Sequence, residues 1–183
     1  MKINSKFLNR IVEPALNDFF VKELTSILDD VSERSLCTRL AMHLEAQMKN
    51  ADLVGYYADT EYNRKQAGQV KTILNGNMEI VSITCDLIVH SRGEIPGRDN
   101  LIAFEMAKPN KTIDEMQSDR DRLMALTKAS YDGIWSNDGE THPEHVCGYV
   151  KGYYLILNRH MRQAQLESFA HGAISKPTKT IIF

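Results

Sequence analysis

The sequence predicts a mixed α/β domain, with helices packed on a central sheet in the order ααβββαβα. Two observations lead to this. Apolar residues recur at helical steps before residue 50 and again after Thr112, while the segments between are short, apolar and β-branched. Turn signals, Asn75-Gly76-Asn77 and Gly93 with Pro96-Gly97, separate the β-type segments.

The elements follow in order. Leu16, Phe19, Phe20, Leu24 and Leu28 form a helical stripe, predicting a first helix from Pro14 to Asp29. Ser32 offers an N-cap for a second helix that runs to Gln47, with Leu36, Leu40, Met42 and Leu44 on its apolar face. Val54 to Tyr62 is tyrosine-rich and reads as a strand. Asn63 to Asn77 is polar and reads as a loop. Met78 to His90 is apolar and β-branched, a second strand. Ser91 to Asn100 reads as a hairpin loop, and Leu101 to Ala107 as a third strand closed by Pro109. Thr112 with Glu115 makes a capping box for a third helix to Lys128, its inner face formed by Ile113, Met116, Leu123 and Leu126. Tyr131 to Glu144 reads as a loop, Val146 to Asn158 as a strand and Arg159 to Phe169 as a closing helix.

Length and composition narrow the function classes. The 183 residues match one ordinary domain, and 43% hydrophobic with 25% charged residues excludes a disordered chain. Three separated cysteines, Cys37, Cys85 and Cys147, give no C-x-x-C spacing, which speaks against structural zinc and for a reducing cytoplasm. Apolar runs fall far short of the about 20 residues of a membrane helix, and residues 1–9 hold no apolar signal segment. No membrane association is expected. The net charge of −2 gives no global attraction to nucleic acid, so any such binding needs a local basic face.

The stretch from Thr84 to Lys108 carries the chemistry. Asp86 stands among Ile83, Cys85, Leu87, Ile88 and Val89, and Glu105 among Leu101, Ile102, Ala103, Phe104 and Met106. A lone carboxylate in an apolar strand is costly unless a partner or a metal holds it. Two of them in neighbouring strands point to one shared site, and hard oxygen ligands there suit Mg2+ or Mn2+. The alternative for each is an arginine partner or a frayed strand end.

Asp86-Leu87-Ile88-Val89-His90, a glycine-bearing turn, and Asn100-Leu101-Ile102-Ala103-Phe104-Glu105-Met106-Ala107-Lys108 together resemble the PD-(D/E)XK nuclease superfamily. Ser32-Glu33-Arg34-Ser35 resembles its early helix, which often carries an additional metal-site glutamate. Asp59-Thr60-Glu61-Tyr62-Asn63-Arg64 resembles the first core strand of small stand-alone relatives. The resemblance implies a restriction-endonuclease-like αβββαβ core, a mixed central sheet flanked by helices. A single domain then divides into an N-terminal helical extension (1–30), the core (31–158) and a C-terminal helix and tail (159–183). It further implies metal-dependent hydrolysis of phosphodiester bonds, with DNA favoured over RNA. Asp86, Glu105, Glu33 and the backbone carbonyl of Met106 would hold Mg2+ or Mn2+. A homodimer would supply two active sites for two-strand cleavage, with the first helix as its surface. Defence against foreign or viral DNA fits by analogy. The alternative is a catalytically silent nucleic-acid-binding or protein-interaction module on the same fold.

One position departs from the pattern. The family places a lysine two residues after the glutamate, on the same strand face. That position is Ala107, and Lys108 faces the other way unless the strand is bulged. Three explanations fit: a lysine replaced by alanine, a bulge that turns Lys108 inward, or a non-cleaving relative. The first is favoured, because Glu-Met-Lys-Lys would complete the pattern, and cleavage is then impaired in the chain as it stands.

Arg64, Arg34, Arg39, Lys65 and Lys71 are the candidate phosphate contacts. His90 is read as a hydrogen-bonded structural histidine ahead of a phosphate contact. Arg120 and Arg122, within Asp119-Arg120-Asp121-Arg122, read as a solvated helix surface. His142, His145 and Cys147 lack a second ligand pair and are not expected to bind zinc.

Overall fold

The computed structural model describes residues 3–61, 72–74, 80–82, 85–129 and 148–183. Three helices come first: α1 (Ser5–Lys22), α2 (Leu24–Leu28) and α3 (Glu33–Asn50). The strands β1 (Tyr57–Thr60), β2 (Thr72–Leu74), β3 (Ile80–Ser82), β4 (Leu87–His90) and β5 (Asn100–Ala107) follow. Helix α4 (Ile113–Thr127) leads to β6 (Lys151–Asn158), β7 (Gln163–Ala170) and β8 (Ala173–Ile182). The main sheet has the order β1-β4-β5-β6-β7-β8, and β2 and β3 form a separate ribbon. Only the β5–β6 pair of the main sheet is parallel, and α4 is its crossover. The molecule is therefore mixed α/β, as expected. Among the described residues no helix is long and apolar enough to cross a membrane.

Helix α1 starts nine residues before the expected point, with Asn4 capping the Phe7 N–H at 2.9 Å. Pro14 lies inside it. An interior proline costs about 3 kcal/mol. The eight residues buried along the stripe from Phe7 to Phe20 outweigh that, since a fully buried Leu or Phe contributes about 1.5–3 kcal/mol. The helix packs on α3, and Phe20 stacks on Phe183 at 4.9 Å. Its apolar face is covered by the chain's own core.

The sheet separates two apolar layers. Along β5, Ile102, Phe104 and Met106 face the α1–α3 layer, whereas Ala103, Glu105 and Ala107 lie on the α4 side. Small residues let α4 come close: a Cβ on Gly152 of β6 would stand 3.1 Å from Thr127 and 3.2 Å from Phe169. The capping box at Thr112 and Glu115 forms as expected. Ile113, expected inside, is 85% exposed, because the buried stripe of α4 starts a turn later.

Several other expectations are corrected. The single strand from Met78 to His90 is two strands in two sheets, β3 and β4, with 78–79 and 83–84 outside the described residues. The main ladder begins at Leu87 because the Asp86 carboxylate itself takes the Met106 N–H. Strand β1 is shorter than expected, bounded by positive φ at Gly55 and Glu61. Of the expected loop at 63–77, Thr72–Leu74 is a strand, and the remaining residues lie outside the described residues, as does the 131–144 loop.

The expected closing helix at 159–169 is absent: Arg159–Arg162 is a tight turn and 163–170 is β7. Buried Ala164 and Leu166 flank exposed Gln165, a strand period rather than a helical one. His171 (φ 54°) and Gly172 (φ 76°) then form a two-residue turn into β8. The segment 159–183 is thus a hairpin that widens the sheet, not a helix and tail.

Candidate active site

The β4–β5 register pairs Leu87 with Phe104, so Asp86 and Glu105 stand opposite each other one step on. Asp86 Oδ2 accepts the Met106 N–H at 2.8 Å. Glu105 is 1% exposed, and burial, reinforced by the charge of Asp86, pushes its carboxyl well above the ordinary range. The opposing force comes from α4. Arg122 Nε donates to Glu105 Oε1 at 2.6 Å, and Arg122 Nη2 donates to Asp119 Oδ1 at 2.6 Å. Burial works against the Arg122 charge, but Glu105 and Asp119 together outweigh it and raise its pKa.

The loop between β5 and α4 contributes a second cation. Lys111 Nζ lies 2.8 Å from Asp119 Oδ2, 3.2 Å from the Met106 carbonyl and 3.9 Å from Glu33 Oε2. Burial opposes its charge, yet Asp119, Glu33 and Asp86 together raise its pKa. Glu33 stands in the first turn of α3, where its Oε1 accepts the Lys108 N–H at 3.2 Å. Burial raises its carboxyl, with Lys111 opposing and Asp86 adding to the shift. Asp119 also accepts the Tyr154 hydroxyl at 3.0 Å.

Four carboxyl groups and two cations therefore meet at the end of β5. Asp86 and Glu105 face each other beside Met106, whereas Glu33 reaches the cluster only by way of Lys111 and the Lys108 N–H and does not complete a three-carboxylate set. Ala107 lies on the Glu105 face as expected and is fully buried in the α4-side layer. Lys108 does not join them. Its Nζ binds Asp30 Oδ1 at 2.8 Å and the Val31 carbonyl at 2.7 Å. β5 runs without a register shift against β6 from Ile102 to Ala107, so no bulge turns Lys108 inward.

The expected phosphate contacts do not gather here. Arg39 is paired with Glu23, and Arg34 with Glu61. Arg64, Lys65 and Lys71 lie outside the described residues, as do His142, His145 and Cys147. His90 is buried, and its Nε2 lies 2.9 Å from Asp59 Oδ2, a structural contact. The surface reading of Arg120 and Arg122 is corrected. Arg120 makes a bidentate pair with Glu167 at 2.8 Å, and Arg122 holds Glu105. The signal available in the sequence was the spacing of Asp119 and Arg122, three apart on one helix face. Lys111 carried no comparable signal, since it precedes the helix cap.

As a donor set, the Asp86–Glu105 pair fits a hard divalent cation: both groups are oxygen donors, and each has one oxygen fixed by a protein N–H. Among the described residues no group of three or more His, Cys, Asp or Glu side chains is arranged to hold a metal ion. A two-carboxylate set suits Mg2+, which keeps several waters and completes its shell with substrate phosphate. No family model, curated protein or solved structure matches this chain.

Proposed function

We propose that the protein is a metal-dependent phosphodiesterase acting on nucleic acid, DNA before RNA, with its active site at Asp86 and Glu105. The observation that carries this reading is the carboxyl pair itself, Glu105 buried and the half-buried Asp86 opposite it on the neighbouring strand. Burial and mutual repulsion both oppose ionisation of Glu105, which a bound divalent cation would offset. The order α3-β1-β4-β5-α4-β6 follows the αβββαβ order of the restriction-endonuclease-like core and supports the same reading.

Asp86 and Glu105 would hold Mg2+ or Mn2+, which when bound supplies charge at the phosphoryl oxygen and an acidified water. The protein's own groups do the positioning. The Met106 N–H fixes Asp86, and Arg122 fixes Glu105 and opposes the burial that disfavours its charge. Lys111 takes the role of the cation at phosphorus, in place of the lysine missing at 107. It reaches the cluster from the loop before α4, next to Glu33, Asp119 and the Met106 carbonyl. Glu33 orients water or the lysine.

One observation favours a second reading, a catalytically silent nucleic-acid-binding or protein-interaction module. Arg122 and Lys111 already neutralise part of the cluster, and Lys111 holds the Met106 carbonyl that was expected to be a ligand. A Mn2+ titration followed by calorimetry separates the two. The hydrolase reading expects binding that is lost in Asp86→Asn and Glu105→Gln, and the silent module expects none.

A further inference from the structure

Beside the carboxyl cluster, past the end of β5, lies a cavity of about 400 Å3. Its floor is apolar, formed by the buried Ile27, Leu36 and Leu157. Its wall is polar and carries Lys108, Asn110 and Arg159. One carboxylate holds both cations in place: Asp30 Oδ1 is 2.8 Å from Lys108 Nζ, and Asp30 Oδ2 is 3.2 Å from Arg159 Nη2. Two cations against one carboxylate leave the wall with surplus positive charge. Lys108 is well engaged, since Nζ also donates to the Asp30 and Val31 carbonyls. Arg159 is less so. Its other contact, Nη1 to the Leu28 carbonyl, is long at 3.4 Å, and a guanidinium has five N–H donors.

The cavity adjoins the carboxyl site. The backbone N–H of Lys108 donates to Glu33 while its side chain lines the cavity. On α3, Glu33 faces the carboxyl cluster and Leu36, one turn on, closes the cavity floor. An apolar floor gives a free inorganic anion little to bind, and the surplus positive charge disfavours a cation. An anion with a flat apolar part satisfies both walls, and the volume lies in the range of small-molecule sites.

We infer that this cavity seats the nucleotide next to the phosphodiester that is cut, its base over Ile27, Leu36 and Leu157 and its phosphate on Arg159. The inference rests on the hydrolase reading for its place in the reaction, but its test does not depend on cleavage.

The test is a titration of the 15N-labelled full chain in EDTA, followed by NMR, with dTMP and separately with inorganic phosphate. Saturable shifts are expected at Asp30, Lys108, Asn110 and Arg159, with dTMP binding about tenfold or more tighter than phosphate. Arg159→Ala should weaken dTMP binding by about tenfold, the loss of one charge-assisted contact. Asn110→Trp changes an exposed position and should block the cavity with the fold intact. If dTMP moves none of these resonances, or phosphate binds as tightly as dTMP, the assignment is overturned. Equal dTMP affinity in the unaltered chain and both variants overturns it too. Cavity shifts without Mn2+-dependent cleavage would sink the hydrolase reading while leaving nucleotide binding in place. Cleavage without cavity shifts would sink the nucleotide site alone.

Discussion

Arg122 donates its Nε hydrogen to Glu105 at 2.6 Å, from the middle of α4 to a carboxyl buried in the central strand. The same guanidinium ties Asp119 through Nη2, so one side chain holds two buried acids. Breaking a buried pair from one side costs about 3–5 kcal/mol, because the remaining charge is left uncompensated. Arg122→Leu should therefore lower unfolding stability by that order in urea titrations. Adding Glu105→Gln to Arg122→Leu should recover much of the loss, and a strictly additive double variant would contradict the coupling.

The raised pKa of Glu105 makes a pH prediction. Below its ordinary value of 4.5 the carboxyl is protonated in both folded and unfolded chains, and Glu105→Gln should be close to neutral. Above 4.5 the unfolded chain ionises while the folded one resists. The unaltered protein should thus lose stability relative to Glu105→Gln as pH rises towards the folded pKa. Melting temperatures of both proteins from pH 4 to 8 check this. A gap that does not widen with pH would contradict the burial argument. Saturating Mn2+ should narrow the gap by stabilising the unaltered protein alone.

The three lysine positions separate by their geometry. Lys111→Ala should slow cleavage by about 10²–10³, the order lost with one preorganised charge-stabilising donor. Lys108→Ala should act on substrate affinity and leave the chemical step, because its Nζ is held by Asp30. Ala107→Lys placed in the Lys111→Ala chain should restore part of the rate, since residue 107 shares the Glu105 face. Single-turnover kinetics on a nicked-plasmid assay measure each. A Lys108→Ala rate loss equal to that of Lys111→Ala would refute the assignment of the cation.

Gly152→Ala tests the packing that brings α4 to the site. Its Cβ would stand 3.1 Å from Thr127, 3.2 Å from Phe169 and 3.3 Å from Leu123. Overpacking of this kind costs about 1–3 kcal/mol. Chemical denaturation should show that loss, and an unchanged midpoint would mean that α4 sits further from β6.

The sequence made part of this legible. The capping box at Thr112 and the strand from Leu101 to Ala107 rest on local signals, and local signals are short-range chemistry; the opposition of Asp86 to Glu105 follows from the short turn between their strands. What it hid was tertiary. Pro14 reads as a helix start, yet the apolar stripe from Phe7 carries α1 through it. The segment after Arg159 carries enough polar residues to pass for a surface helix, and only pairing of β7 with β6 and β8 reveals its strand period. Arg122 looked like one charge among alternating charges. Its role depends on Glu105, seventeen residues earlier in sequence, facing the same side of the sheet as α4. Lys111 reaches the site only because the chain turns between β5 and α4.

The most direct measurement is Mn2+-dependent nicking of supercoiled plasmid and cutting of single-stranded DNA by the unaltered chain, Asp86→Asn and Glu105→Gln. The account predicts cleavage by the unaltered chain that EDTA abolishes and that either substitution reduces by at least about 10². Cleavage that persists undiminished in both variants would contradict the site. An unaltered chain that leaves every nucleic acid intact at saturating Mn2+ would contradict the hydrolase itself.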